Sequence, residues 1–243
     1  MRSLATLALA LLAAPTLAAP DTSALANYTG KTVIRRLALG NDTSMVIVSS
    51  KGTSVFLDPR STMLVPDAIA VTHDHHVDKV YLEAAKAAKA LVAAPGTLTV
   101  KDVTITGIAG SHGAVPPKSP PDYVILLVEV DGLRIAYLPC TAQKAFTPEQ
   151  LAALGRVDVA MITAENETGG RTAKNFYALG KSLHPMVILT LTHHVTDYEF
   201  ALEDIADAGG KVETLPDPLV LDAAALKGGE ERVINLLATA PPG

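Results

Sequence analysis

The 243-residue chain has one cysteine, no run of basic residues, and no internal repeat or low-complexity tract. Without a basic patch, nucleic acid is not an expected partner. The charge balance is slightly acidic, 20 basic against 25 acidic residues, as in an ordinary globular protein. Long apolar runs are also lacking. The opening stretch Leu4–Ala14 is shorter than the roughly 20 residues of a membrane span, and Pro15 interrupts it. With Arg2 before it and Pro15-Thr16-Leu17-Ala18-Ala19 after it, this is the layout of a secretory signal peptide cleaved after Ala18. No cysteine follows to carry a lipid, so no stable membrane anchor is expected. The expectation is export, to the periplasm or beyond, of one domain spanning residues 19–243.

Export gives the single cysteine meaning. Structural cysteines in an oxidising compartment come in pairs. A lone Cys140 is therefore a buried small hydrophobe, a reactive thiol or a metal ligand.

Lys31–Arg36, Ser44–Ser49 and Thr53–Leu57 read as three strands joined by short turns, hence as antiparallel neighbours. Asp58-Pro59 follows; Asp58 is a turn-former before proline or a partner of a site, the first reading being preferred. Pro66–Val71 is a brief strand, and alanine-rich Val80–Leu91 reads as a helix. Leu98–Ile108 alternates with period two, and Tyr123–Val130 with Leu133–Tyr137 forms a hairpin around Asp131-Gly132. The second half mixes helices and strands. Thr147-Pro148 opens a helix, Val157–Ile162 and Met186–Leu191 are strands, and Thr172–Leu183 and Thr196–Ala208 are helices. Leu219–Leu221 and Val233–Leu237 return to strand. Strands first and mixed elements later predict a single α/β or α+β domain with more than one sheet.

Six of the seven histidines lie in three places, each after an apolar strand-like run: His73, His75 and His76; His112; and His193-His194. In an extended segment His73 and His75 project to one side and His76 to the other. Joined by His112, the first two make the three-nitrogen set of a catalytic zinc, whose fourth position is open to water. Zinc lowers the pKa of that water to near neutrality and makes it a nucleophile. Cys140 and His193 also follow strands, and with Asp78 they are candidates for a second metal position. Asp74 is expected to face solvent or a helix N-terminus, and Glu165, Glu167 and Lys144 to be solvated.

Phe56-Leu57-Asp58-Pro59, Thr72-His73-Asp74-His75 and Gly110-Ser111-His112 resemble successive landmarks of the metallo-β-lactamase superfamily, nearest to its lactonase-like and phospholipase-like hydrolases. Asp131-Gly132 and its strand, Val157-Asp158-Val159-Ala160, and His193 after its strand fit later landmarks, so the resemblance runs from about Lys31 to His194. It implies a four-layer αββα sandwich with a metal site at the strand ends between two sheets.

The chain departs from the family's H-x-H-x-D-H motif. Counted rigidly, Val77 stands at the carboxylate position and Asp78 at the last histidine; with one residue inserted, Asp78 takes the carboxylate place and Lys79 the histidine. The family's bridging aspartate is replaced by Cys140 in Pro139-Cys140-Thr141, and a cysteine ligand near that point is known among true metallo-β-lactamases. The expectation is an exported hydrolase with Zn2+ (Mn or Fe as alternatives) on His73, His75 and His112. Asp78 would be a ligand or general base, and Cys140 and His193 would hold a weaker second metal. The substrate expected is a small ester, lactone, amide or phosphodiester. The alternative is a catalytically impaired relative that binds a metal or ligand.

Overall fold

The computed structural model describes residues 25–27, 29–39, 42–60, 64–113, 121–141, 143–165, 172–192 and 198–239. The expected signal peptide, the proline-rich stretch 114–120, Glu167, His193 and His194 lie outside them.

Two sheets face each other. The first contains β1 (Thr32–Leu39), β2 (Asp42–Val48), β3 (Ser54–Leu57), β4 (Ala68–Val71), β5 (Lys89–Val92) and β13 (Leu219–Leu221), in the order β13-β1-β2-β3-β4-β5. The second holds β6 (Gly96–Val100), β7 (Val103–Gly110), β8 (Tyr123–Val130), β9 (Leu133–Leu138), β10 (Val159–Thr163), β11 (Val187–Leu191), β12 (Val212–Leu215) and β14 (Arg232–Leu236). Its order is β12-β14-β11-β10-β9-β8-β7-β6. The period-two pattern explains the layering. Ile47, Val55, Leu57, Ala68 and Ala70 face inward against Ile105, Leu126, Val128, Ile135 and Met161. Their sequence neighbours Val46, Val48, Phe56 and Ile69 face outward and meet Tyr81 and Ala85.

Helices cover both outer faces, giving the αββα sandwich. Tyr81 of α1 (Lys79–Ala84) packs on the first sheet. On the second lie α2 (Pro148–Leu154), α3 (Ala173–Lys181) and α4 (Tyr198–Asp207), through Leu154, Phe176, Tyr177, Ala201 and Ile205. A short α5 (Ala223–Leu226) completes the described elements. None of the described helices is long and apolar enough to cross a membrane.

β1, β2 and β3 pair antiparallel as expected. The Asp131-Gly132 hairpin joins β8 and β9, with positive φ at both turn residues (49° and 79°). One helix is shorter than its composition suggests. The expected Val80–Leu91 helix stops at Ala84, and Lys89–Val92 instead pairs parallel with β4. Edge pairing overrides the alanine-rich propensity there.

The sheets are fastened at one end by side chains. Asp131 accepts hydrogen bonds from Thr32 Oγ1 (2.8 Å), the Ser50 amide (2.7 Å) and Ser50 Oγ (2.6 Å). Thr53 donates to Asp102 beside it. Asp58, His73, His112 and Cys140 follow β3, β4, β7 and β9 at the opposite end.

Candidate metal centre

After β4 the chain does not continue extended. His73 is the extended residue (φ −164°, ψ 166°) before a one-turn 3-10 helix, Asp74–His76. With three residues per turn, positions i and i+3 stack. His76 accordingly lies beside His73, their ring centroids 3.9 Å apart, and its amide donates to the His73 carbonyl at 3.0 Å. The expectation that His76 points away from the other rings is thus corrected: a turn replaces the strand.

His73, His75 and His112 do come together. Their donor nitrogens lie within 4.8 Å of one another, and Nε2 of His73 is 2.8 Å from Nε2 of His75. His73 is buried, His75 exposed and His112 half-buried, so the group opens to solvent on one side. A second group unites His73, His76 and Cys140, all buried and again within 4.8 Å.

One carboxylate orders both groups. Asp58, in left-handed backbone (φ 44°) after β3, is 3% exposed. It accepts hydrogen bonds from the Thr72 amide and Thr72 Oγ1, both at 2.7 Å, and from His76 Nδ1 at 2.8 Å. Burial raises the Asp58 carboxyl, but the His76 charge and the hydrogen bonds from His76 and Thr72 outweigh it and hold it at about 2. Because that carboxylate is an acceptor only, His76 carries its proton on Nδ1 and directs Nε2 elsewhere. Thr72, whose hydroxyl proton goes to Asp58, can only accept from His73 Nδ1, 2.7 Å away. His73 therefore also turns a bare Nε2 toward the other donors. Burial keeps that ring neutral, and His76, His75 and His112 push the same way against Asp58, lowering its pKa to about 2. A neutral imidazole with one nitrogen fixed by a hydrogen bond, as at His73, is what a metal ion requires. The donor set fits one. Asp58 is thus a site partner, not only a turn-former.

Cys140 is also held in left-handed backbone (φ 58°), its amide donating to Thr163 Oγ1 at 2.9 Å. Its Sγ lies 3.8 Å from His76 Nε2. The loop carrying His112 is anchored from below: the Ser111 amide donates to Gln143 Oε1 (2.9 Å) and Thr141 Oγ1 to the Ser111 carbonyl (3.0 Å). Gln143 is bonded in turn to Gln150, whose Nε2 donates to the Ala109 carbonyl at 2.8 Å.

Residues 39–192, well over half of the chain, match the sequence profile of the beta-lactamase superfamily domain. The chain belongs to the metallo-β-lactamase superfamily. A proposed zinc-dependent hydrolase of this superfamily from Thermotoga maritima shares the metallo-β-lactamase fold at 18% identity and TM-score 0.60, covering 86% of this chain and 100% of its own. The metallo-β-lactamase fold protein YhfI from Bacillus subtilis gives 12% identity and TM-score 0.51, covering 86% and 98%. CmlA, a diiron β-hydroxylase from Streptomyces venezuelae, gives 12% and 0.50, covering 86% of this chain and 53% of its own. One metallo-β-lactamase scaffold thus carries different chemistries. No curated protein is significantly similar in sequence.

Against the metallo-β-lactamase motif, the structure redistributes the remaining expected site residues. Asp78, expected as ligand and general base, stands outside both donor groups and caps α1, its Oδ1 accepting from the Tyr81 amide at 2.9 Å. An aspartate just before a helix is the sequence signal for that role. His193 lies outside the described residues. Glu165, expected in solvent, is buried, whereas Asp74 and Lys144 are exposed as expected. His76 is the donor that sequence reasoning set aside.

Proposed function

We propose that the protein is an exported metal-dependent hydrolase acting on a small ester, lactone, amide or phosphodiester. The convergence of His73, His75 and His112 on the solvent-open side of the strand ends carries this reading. Three imidazole nitrogens with an open fourth position favour zinc over harder ions. When bound, such an ion supplies Lewis acidity and a water acidified to a pKa of about 7. The chain's own part is orientation. Asp58, through Thr72, presents the His73 lone pair, and the Gln143–Ser111 bond fixes the loop of His112. His75 and His112, at the open side, border the approach of the substrate's carbonyl or phosphoryl group.

The test is metal content of the purified protein, followed by turnover of generic ester, lactone and phosphodiester substrates with and without added Zn2+, beside His75→Ala. Zinc-dependent turnover lost in His75→Ala is expected. Activity that survives the substitution, or a protein that takes up no divalent ion, overturns the reading. Stoichiometric metal without turnover of any substrate class overturns the hydrolase reading in favour of a catalytically impaired relative that binds a metal or ligand.

A further inference from the structure

His76, Asp58 and Cys140 make a second constellation that the water-activating arrangement does not use. His76 binds Asp58 through Nδ1 at 2.8 Å, and its Nε2 lies 3.8 Å from the Cys140 sulfur. Because Asp58 keeps the proton on Nδ1, Nε2 is free to accept the thiol proton. Asp58 is itself fixed by the Thr72 amide at 2.7 Å. Thiol, imidazole and carboxylate thus stand as nucleophile, base and orienting group, the order by which such triads are recognised on any fold.

A separate observation concerns the same sulfur. Tyr123 is 1% exposed, and its hydroxyl has no hydrogen-bond partner among the described residues. Cys140 and then Asp58 are the charged groups that act on it. An orphaned buried donor is costly, and an oxygen placed on the sulfur would give it the acceptor it lacks. Burial sets the size of what can arrive. Cys140 is 3% exposed, yet its sulfur lies within 4.8 Å of a His73 ring nitrogen, and His73 meets the exposed His75 at 2.8 Å. The thiol is therefore one imidazole below the open side, a depth that suits an electrophile little larger than water.

We propose that Cys140, His76 and Asp58 form a thiol triad whose substrate is hydrogen peroxide, and that Cys140 is a site of oxidation to the sulfenic acid. His76 Nε2 takes the thiol proton as the sulfur attacks one peroxide oxygen. The S–O bond forms, the O–O bond breaks, and His76 passes the proton to the departing hydroxide, which leaves as water. The sulfur gives up an electron pair and the peroxide accepts it. The Tyr123 hydroxyl then donates to the new oxygen. Cys140 is the only cysteine, so no second thiol of the chain converts the sulfenic acid to a disulfide. The step needs neither a bound ion nor hydrolytic turnover, so it stands or falls apart from the proposed function.

The test exposes metal-free protein to hydrogen peroxide, removes the peroxide with catalase, unfolds the chain and traps sulfenic acid with dimedone for mass spectrometry. Oxidation of Cys140 in the native protein should be at least about tenfold faster than in urea-unfolded chain, a modest share of what a positioned base contributes. In His76→Ala, with circular dichroism unchanged, the rate should fall to the unfolded value, and Asp58→Asn should slow it less. Tyr123→Phe should lower the yield of trapped sulfenic acid as oxidation runs on to the sulfinic acid. A native thiol that reacts no faster than the unfolded one is merely buried, and that result overturns the proposal without any variant. A native rate unchanged in His76→Ala overturns it too, and an unchanged yield in Tyr123→Phe removes the tyrosine from it.

Discussion

Oε1 of Gln143 lies 2.9 Å from the amide of Ser111, so a side chain from the segment after β9 holds the backbone next to His112. Gln143 is itself held by Gln150, which sits at the third position of α2 and completes a capping box with Thr147. The helix cap and the metal donor are therefore mechanically connected. Gln150→Ala removes the capping partner and leaves Gln143 part-satisfied in a buried place, a loss of about 1–3 kcal/mol. Thermal unfolding should show the loss, and chelator competition should show weaker metal binding. Unchanged metal affinity in a destabilised variant would mean that His112 is positioned without this network.

Asp58→Asn tests the carboxylate's control of both imidazoles. Asparagine tolerates left-handed backbone, so the turn itself should survive. The charge that fixes the proton on His76 Nδ1 and, through Thr72, on His73 Nδ1 is removed. Metal affinity should fall roughly 10–100-fold with circular dichroism unchanged. Thr72→Val cuts only the branch to His73 and should have the smaller effect. Equal affinity in Asp58→Asn and wild type would remove Asp58 from the site.

Stability of the metal-free protein should depend on pH in a stated direction. His73, buried, stays neutral down to about 2 when folded, whereas the unfolded chain protonates it near its ordinary value of 6.5. Between those values the unfolded state binds the extra proton, so stability is complete above about pH 6.5 and falls as pH drops, by up to about 1.4 kcal/mol per pH unit. Asp58, held at about 2 against an ordinary 3.8, adds a second loss in the same direction at lower pH. Urea unfolding across mildly acidic pH should show the first slope, and His73→Gln should flatten it. A flat wild-type profile there would count against a neutral buried His73.

Gly110→Ala should destabilise the fold beside the site. A Cβ at this position would lie 2.7 Å from Cδ1 of Tyr123, inside contact distance of a fully buried ring. Overpacking of this kind costs about 1–3 kcal/mol. Tyr123→Leu in the same chain should recover part of that in denaturant titrations. Additive losses would show that the clash is relieved some other way.

Much of this was legible in the sequence because sheets announce themselves by alternation. β1, β2, β3, β7, β8 and β9 each carry inward and outward residues in strict turn, and the hairpin at Asp131-Gly132 needs only local chemistry. β5 was hidden because Lys89–Val92 lies in an alanine-rich run whose strand character comes from pairing with β4. The histidine triad was legible from its strand-end positions. His76 was not, because period-two logic assigns it to the opposite side, and a single 3-10 turn reverses that. Asp58, 18 residues earlier, was visible as a residue yet silent as a partner, since only the adjacency of β3 and β4 brings it to Thr72 and His76.

The clasp of Thr32 and Ser50 on Asp131 fastens the sandwich at the end away from the histidines. At the clasped end polar side chains cross from sheet to sheet, so relative sliding of the sheets breaks several hydrogen bonds at once. At the other end polar groups cross as well: the Val124 amide donates to the Thr72 carbonyl at 2.8 Å, and Arg36 and Thr43 both donate to Thr192 after β11. Both ends therefore hold the register of the two sheets, and the histidine donors stand on loops whose roots are pinned from either side.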